Sequence, residues 1–326
     1  MITPRLSAFA DFLRERHAIY VRRKEGRPYP WTDDPVLRSG HFCNVFRELD
    51  RVTIWVRKNI REPYADHPNL WIMLAIARYI NWPPTLQWLI DRKTAWPGDS
   101  ATFDPKFLTA ALEAQAATGA KVYTGAYMIR AESDPKKEWY SWSKHRYIAE
   151  VVIGRLWEDR DAWQDLLDHG NQNARTDEDA QPSLEQIWSE FQHPRYVGWG
   201  PFMAYEVVTD LRHTRYLRNA PDIYTWANAG PGAIRGLNRL HGRELKTQPK
   251  REQTNAEMRA LMEELNRYSS LEFLRVFGTP TDTVQDIFEM RDIEHSLCEF
   301  DKYERVRLGE GQMRSHYDPR RSYPLD

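Results

Sequence analysis

The stretch YVGWGPFMAYEVVTDLRHTRYLRNAPDIYTWANAGPGAIRGLNRLHG, residues Tyr196–Gly242, twice runs a Gly-x-Gly turn straight into a helical pattern. Gly198-Trp199-Gly200 precedes Pro201–Leu211, and Gly230-Pro231-Gly232 precedes Ala233–Leu240. Glycine permits positive φ and close approach of backbone to a neighbour. Proline suits the first helical turn, where its missing N–H costs nothing. A helix start also offers unpaired N–H groups and a positive dipole end, which together can seat a phosphate. One such turn reads as an ordinary helix–helix connection. Two of them, the second followed by Arg235, Arg239 and Arg243, point to binding of a phosphate backbone at Gly198, Gly200, Gly230, Gly232 and Arg235.

Working outward, helical periodicity dominates. It predicts helices over 6–22, 42–60, 70–80, 105–118, 143–157, 183–191, 202–211, 233–240, 254–266 and 282–303. The double proline Pro83-Pro84 stops the third of these. The best strand signal, KVYTGAYMIR at Lys121–Arg130, allows one short β-hairpin. The polar stretch Asp168–Pro182 suggests a boundary. The expectation is an all-α fold with an N-terminal helical subdomain (1–170), a second subdomain (183–308) completing a cleft, and an irregular tail (309–326).

The 326 residues carry 46 Lys+Arg against 47 Asp+Glu, so no global charge excess draws the chain to polyanions. The longest apolar run, Leu70–Ile80, is too short to cross a bilayer and contains Arg78. The N-terminus has no apolar signal core, and two cysteines make neither a disulfide framework nor a zinc finger. A reducing, cytoplasmic compartment is expected. The 13 Trp read mostly as core. There is no GxxxxGK[ST] phosphate loop, no GxGxxG after a strand, no HExxH, CxxC or GxSxG. Asp292 and His295 read as a solvated helix face, and no metal ligand set is expected.

GWGPFMAYEVVTDL resembles the helix-hairpin-helix DNA glycosylase pattern, Gly-x-Gly-Pro-aromatic-x-Ala. That resemblance implies a chemically active carboxylate some twenty positions past the second glycine. Asp222 lies 22 past Gly200, and Asp210 lies ten past it. Asp222 also reads as a helix N-cap before Ile223. The glycosylase lysine is absent, because positions 201 and 202 are Pro and Phe. Three further segments, FCNVFRELDRVTIWV (Phe42–Val56), PDIYTWANAGPGAIRGLNRLHGR (Pro221–Arg243) and IEHSLCEFDKYER (Ile293–Arg305), resemble a narrower group. These are the α-glutamyl/putrescinyl-thymine pyrophosphorylases and amino acid:DNA transferases of phage thymine hypermodification, related to the helical domain of hydroxymethyluracil DNA kinases.

The resemblance implies an all-helical, glycosylase-like fold acting on 5-hydroxymethyluracil already activated in DNA as a phosphate or pyrophosphate ester. An amino acid or polyamine would displace the (pyro)phosphate after base flipping, downstream of a separate kinase. Leaving charge needs cations or N–H groups, and Arg47, Lys302 and Arg305 are candidates beside Asn44 and Tyr303. The amine's proton needs a carboxylate, for which Asp50, Asp210 and Asp222 are candidates. Asn44, Arg47 and Asp50 follow at i, i+3 and i+6, as on one helix strip. No cofactor is required, and a divalent ion is optional. Excision of a modified base and non-catalytic DNA binding are the alternative readings.

Overall fold

The computed structural model describes residues 4–98, 103–170, 181–268, 287–313 and 315–318. It is all-α. Among the described residues there is no strand, only an isolated antiparallel bridge between Gly40 and His316. No helix among them is long and apolar enough to cross a membrane. The chain forms two compact units, one of residues 54–222 and one of residues 1–53 with 223–326.

The unit of residues 54–222 is built around α4 (Leu70–Ile80), in which every residue is buried. Its continuous apolar run leaves no polar face, so the helix is enclosed rather than amphipathic. Asn81, at φ +45°, ends it in the left-handed conformation, and α5 (Pro83–Ile90) starts directly on the proline pair. Then follow α6 (Pro105–Ala117), α7 (Lys144–Arg146), a π-helical segment Tyr147–Ile153, and α8 (Gly154–Glu158). The unit closes with α9 (Arg160–His169), α10 (Leu184–Phe191) and α11 (Pro201–Leu211).

Its core is aromatic. Trp71 stacks on Trp163 at 5.3 Å, Trp163 meets Phe191 at 4.5 Å, and Trp199 lies 5.0 Å from Phe191 and 5.2 Å from Tyr79. Trp96 is buried too. Trp82, Trp88, Trp142 and Trp157 are not core; they are half-buried, with Lys121, Arg92, Arg146 and Arg160 over their rings at 4.0, 3.2, 3.7 and 4.8 Å. The expected hairpin at 121–130 is irregular chain. Its polar groups are engaged elsewhere: Thr124 N–H donates to the Ile80 carbonyl, Thr85 Oγ1 to the Val122 carbonyl, and Tyr127 to Glu206.

The unit of residues 1–53 and 223–326 assembles α1 (Pro4–Lys24), α2 (Pro35–Ser39), α12 (Pro231–His241), α13 (Arg251–Tyr268) and α14 (Met290–Arg307). Phe9 and Phe12 of α1 pack on Phe300 of α14 at 5.2 and 5.6 Å. Phe46 stacks on Phe288 at 5.2 Å, and Asn266 holds the Phe288 backbone at both its N–H and its carbonyl. The helix expected from residue 42 begins only at Arg51: α3 (Arg51–Val56) runs on into a π-helical turn, Arg57–Arg61. Residues 42–46 are instead an extended loop and 47–49 a 3-10 turn. Phe42, Val45, Phe46 and Leu49 are buried all the same, so their apolar spacing reflects the core and not a helix face.

The helix expected from 282 starts at Met290, where Glu289 and Asp292 form a reciprocal capping box. Residues 281–286 lie outside the described residues. Asp292, expected on a solvated face, is fully buried there. Of the expected tail, only residues 309–313 and 315–318 are described; they contain no helix, and His41 N–H donates to the Ser315 carbonyl and Tyr317 N–H to the Ser39 carbonyl. The units also divide differently from the expected break between 170 and 183. Gln181 donates to the Arg215 carbonyl and accepts from Asn219 N–H, contacts within the unit of residues 54–222. Residues 171–180 lie outside the described residues.

A buried ion pair and a buried histidine allow direct tests. Arg78 and Asp210, 2% and 1% exposed, form a two-pronged ion pair, with Arg78 Nη2 donating to Asp210 Oδ1 at 2.8 Å. Asp210→Ala leaves a buried guanidinium without its counter-charge and should cost about 3–5 kcal/mol of unfolding free energy in urea titrations. Arg78→Met with Asp210→Leu should recover much of that loss. His17, edge-on to Phe46 at 5.5 Å, is pushed down to about 4 by burial, assisted by the charge of Arg16. The unfolded chain takes up this proton near pH 6.5 and the folded chain does not. The contribution is therefore complete above pH 6.5 and is lost as pH falls towards 4, by on the order of 3 kcal/mol. Denaturation curves across that range should show the loss in the parent protein and a smaller one in His17→Leu.

Candidate functional site

In the unit of residues 1–53 and 223–326, half-buried charged side chains converge on the loop Phe42-Cys43-Asn44. Arg16, on α1, donates from Nε to the Cys43 carbonyl at 2.9 Å and from Nη2 to the Phe42 carbonyl at 2.9 Å and Asn44 Oδ1 at 2.8 Å. Glu299, on α14, accepts the Cys43 N–H at 3.0 Å. The loop is thus gripped on both sides. Asn44 N–H donates to Asp50 Oδ1 at 2.9 Å, and its amide donates to the Leu49 carbonyl at 2.8 Å. Arg47 pairs with Asp50 at 3.5 Å. Asn44, Arg47 and Asp50 therefore do come together, but through a tight turn and not along a helix.

Lys302 completes this group. Its Nζ lies 2.6 Å from Glu299, donates to the His41 carbonyl at 3.0 Å, and sits 4.7 Å from the centre of the Phe42 ring. Burial pushes the Glu299 carboxyl up, but Lys302, His295 and the Cys43 N–H outweigh it and hold the group below its ordinary range. Glu299 is therefore ionised at neutral pH. Burial, with the charges of Glu299 and Asp50, pushes the Cys43 thiol well up, so it is no standing thiolate. A site with Arg16, Arg47 and Lys302 beside Asp50 and Glu299 can hold an anion and accept a proton within one loop's reach.

Of the other predicted residues, Tyr303 meets the Phe42 ring edge-on at 6.5 Å, and the rest lie elsewhere. Tyr303 donates to Asp34 at 2.7 Å, and Asp34 caps α2 by accepting from Val36 and Leu37 N–H. Arg305 packs against the chain at Gly311. Asp210 is the buried partner of Arg78. Asp222 caps no helix of its own, since Pro221–Thr225 is a turn. It caps α10 instead, accepting from Leu184 N–H at 2.7 Å and Glu185 N–H at 3.0 Å. Burial raises it, against the pull of those two donors.

The two glycine turns differ. Gly198 has φ +86°, and a side chain there would press on Val152 and Tyr79; Gly200 is the N-cap of α11, open on its outer side. Phe202 stands half-exposed beside it. At the second turn the Gly230 N–H is already taken by the Glu294 carboxylate at 3.1 Å. A Cβ at Gly232 would overlap the Cys298 sulfur, and one at Gly236 the Leu297 carbonyl oxygen. These glycines let α12 and α14 lie against each other. Arg235 and Arg239 both bind Asp301, at 2.8 and 2.9 Å, and Arg243 makes a two-pronged pair with Glu257 at 2.7 Å. The arginines that suggested phosphate are thus each matched to a carboxylate.

Sequence reasoning did not single out Arg16, Cys43 or Glu299, and it read His295 as part of a solvated helix face. Arg16 left one signal, a charge beside Phe12, Leu13 and His17 on the buried side of an amphipathic helix.

Against known proteins, the family model for the 5-hmdU DNA kinase, helical domain, matches residues 3–313. The 5-hmdU DNA kinase of Bacillus phage SP10 is 30% identical over 236 residues, which cover 69% of this chain and 34% of that protein. The chain spans about a third of the length of the curated relative it matches. No solved structure matches.

The capping geometry of Asp222 predicts a stability phenotype. Asp222→Ala should lower unfolding free energy by about 0.5–2 kcal/mol in thermal or urea melts. DNA affinity, measured by fluorescence anisotropy at fixed salt, should stay within a few-fold of the parent.

Proposed function

This chain belongs to the family of 5-hmdU DNA kinase helical domains, and from that premise we propose that it acts in phage thymine hypermodification. Its reaction is the transfer of an amine to 5-hydroxymethyluracil that already carries a phosphate or pyrophosphate in DNA. The observation that carries this reading is the Arg47–Asp50, Lys302–Glu299 cluster on the Phe42–Asn44 loop. It lies in two of the segments that resemble the amino acid:DNA transferase group.

The chemistry balances as a substitution at the exocyclic methylene of the base. The amine nitrogen forms a bond to that carbon as the carbon–oxygen bond breaks, and the (pyro)phosphate departs with the bonding pair. Arg47 and Lys302 meet the leaving charge, and Asn44 supplies a hydrogen-bonding amide. Glu299 takes the proton from nitrogen. Lys302 couples the two events: once it swings from Glu299 to phosphate, the carboxylate loses its main charge partner and burial raises its basicity. Asp50 keeps the Asn44 turn in place. Asp210 and Asp222 serve the fold. The Gly198–Gly200 turn, open at Gly200, is the candidate DNA phosphate contact, supported by its pattern and by the start of α11, which no side chain caps.

Mass spectrometry of nucleosides tests this. DNA carrying pyrophosphorylated hydroxymethyluracil, incubated with the protein and a panel of amino acids and polyamines, should yield a heavier nucleoside together with free pyrophosphate. Glu299→Gln should cut the yield by at least ~100-fold, the lower range for loss of a general base, with DNA affinity within a few-fold. A free base and an abasic site would make the protein a glycosylase, and no incorporation of any amine would overturn the transferase reading.

A further inference from the structure

The loop that carries the charged cluster also brings three different ligand types together. One potential ligand atom each from Cys43, Asp50 and His295 lie within 4.8 Å of one another. We propose that these three residues form a binding site for one divalent cation of the zinc class, with a fourth position open. The inference goes beyond the transferase reading and stands on its own geometry.

Ligand identity selects the ion. A sulfur, an imidazole nitrogen and a carboxylate oxygen suit zinc or cobalt, whereas magnesium and calcium take sets made of oxygen. A tetrahedral zinc-class ion has bonds of about 2.0–2.3 Å, which puts its ligand atoms roughly 3.3–3.8 Å apart. A set already inside 4.8 Å reaches that spacing by side-chain adjustment of about 1 Å. Three protein ligands with an open fourth position are the usual composition of a zinc centre that works on a water or a substrate oxygen.

The surroundings hold the ligands in place. The Cys43 backbone is fixed at its carbonyl by Arg16 and at its N–H by Glu299. Asp50 spends Oδ1 on the Asn44 N–H, which leaves Oδ2 towards Arg47 at 3.5 Å, longer than a good hydrogen bond. His295 sits one turn before Glu299 on α14, a rigid support. Such outer contacts orient metal ligands and are part of an effective site. The ion displaces the Cys43 thiol proton to solvent on binding, and the resulting thiolate and the Asp50 carboxylate cancel its two charges. The hydrogen bonds of Arg16 go to backbone carbonyls and Asn44, not to the ligand atoms. All three ligand residues are half-buried, so an ion can enter without unfolding the unit.

Cobalt(II) gives a direct readout, because a thiolate ligand adds a charge-transfer band in the near ultraviolet and the chain has only two cysteines, Cys43 and Cys298. Titration of the reduced, untagged full chain should show this band saturating at one equivalent, and zinc should displace it. Cys298→Ser should keep the band and Cys43→Ser should lose it, with unchanged far-ultraviolet circular dichroism in both. His295→Ala should weaken cobalt binding at least tenfold. A band that survives Cys43→Ser, or no band in the folded parent protein at excess cobalt, would overturn the assignment. The readout needs no DNA or amine, so its outcome is separate from that of the transfer assay.

Discussion

The close approach of α12 and α14 is the contact on which the charged cluster depends. Gly232 and Gly236 have no Cβ to hold the helices apart, and Asp301 is clamped between Arg235 and Arg239 while it is almost fully buried. A buried carboxylate with one partner costs more in desolvation than one ion pair returns; two guanidiniums shift that balance. The clamp and the glycine contact together fix α14 in register. On its other turns the same helix carries Glu294, His295, Glu299 and Lys302. Glu294 closes the start of α12, and the remaining three reach the Phe42–Asn44 loop.

The loop itself is held by polar contacts that reach far along the chain. Arg16 arrives from α1 and Glu299 from α14, and each takes one side of Cys43. Irregular backbone inside a helical unit has unpaired N–H and carbonyl groups, and burying them unpaired costs about 1–3 kcal/mol each. Charged side chains supply the partners here. A set of half-buried charges is thereby kept beside a loop that helical packing alone would not position. Fold and chemistry share those residues, so a substitution at Arg16 or Glu299 is expected to affect both. At Asp222 the carboxylate caps α10.

Much of the fold was legible in the sequence. The run Leu70–Ile80 reads as helix because nothing in it is polar except Arg78, and the structure supplies that charge with Asp210. The starts of α11 and α12 were marked by Gly-Pro and Pro-Gly. The same signals misled at Phe42–Asp50, where buried aromatic and aliphatic residues recur at helical spacing in a segment that is extended and then 3-10. Periodicity reports burial, and a loop wedged between helices is buried too. Within the candidate site, Asn44, Arg47, Asp50 and Lys302 were legible from their type and from the segments that carry them. Arg16 and Cys43 were not, because Arg16 meets Cys43 across 27 residues of chain and Cys43 meets Glu299 across 256.

Near-neutral composition acquires a physical meaning at this point. Arg78, Arg235, Arg239 and Arg243 each face a carboxylate within the fold, so a count of basic residues says little about the charge offered to a ligand. What a polyanion meets is set by pairs whose separation costs little. Lys302 and Glu299 are such a pair: half-buried, one turn apart, with the ammonium also resting on a carbonyl and an aromatic face. An arriving phosphate competes for that ammonium with a carboxylate that burial already disfavours. In the proposed reaction, anion binding and proton affinity are linked by this one side chain.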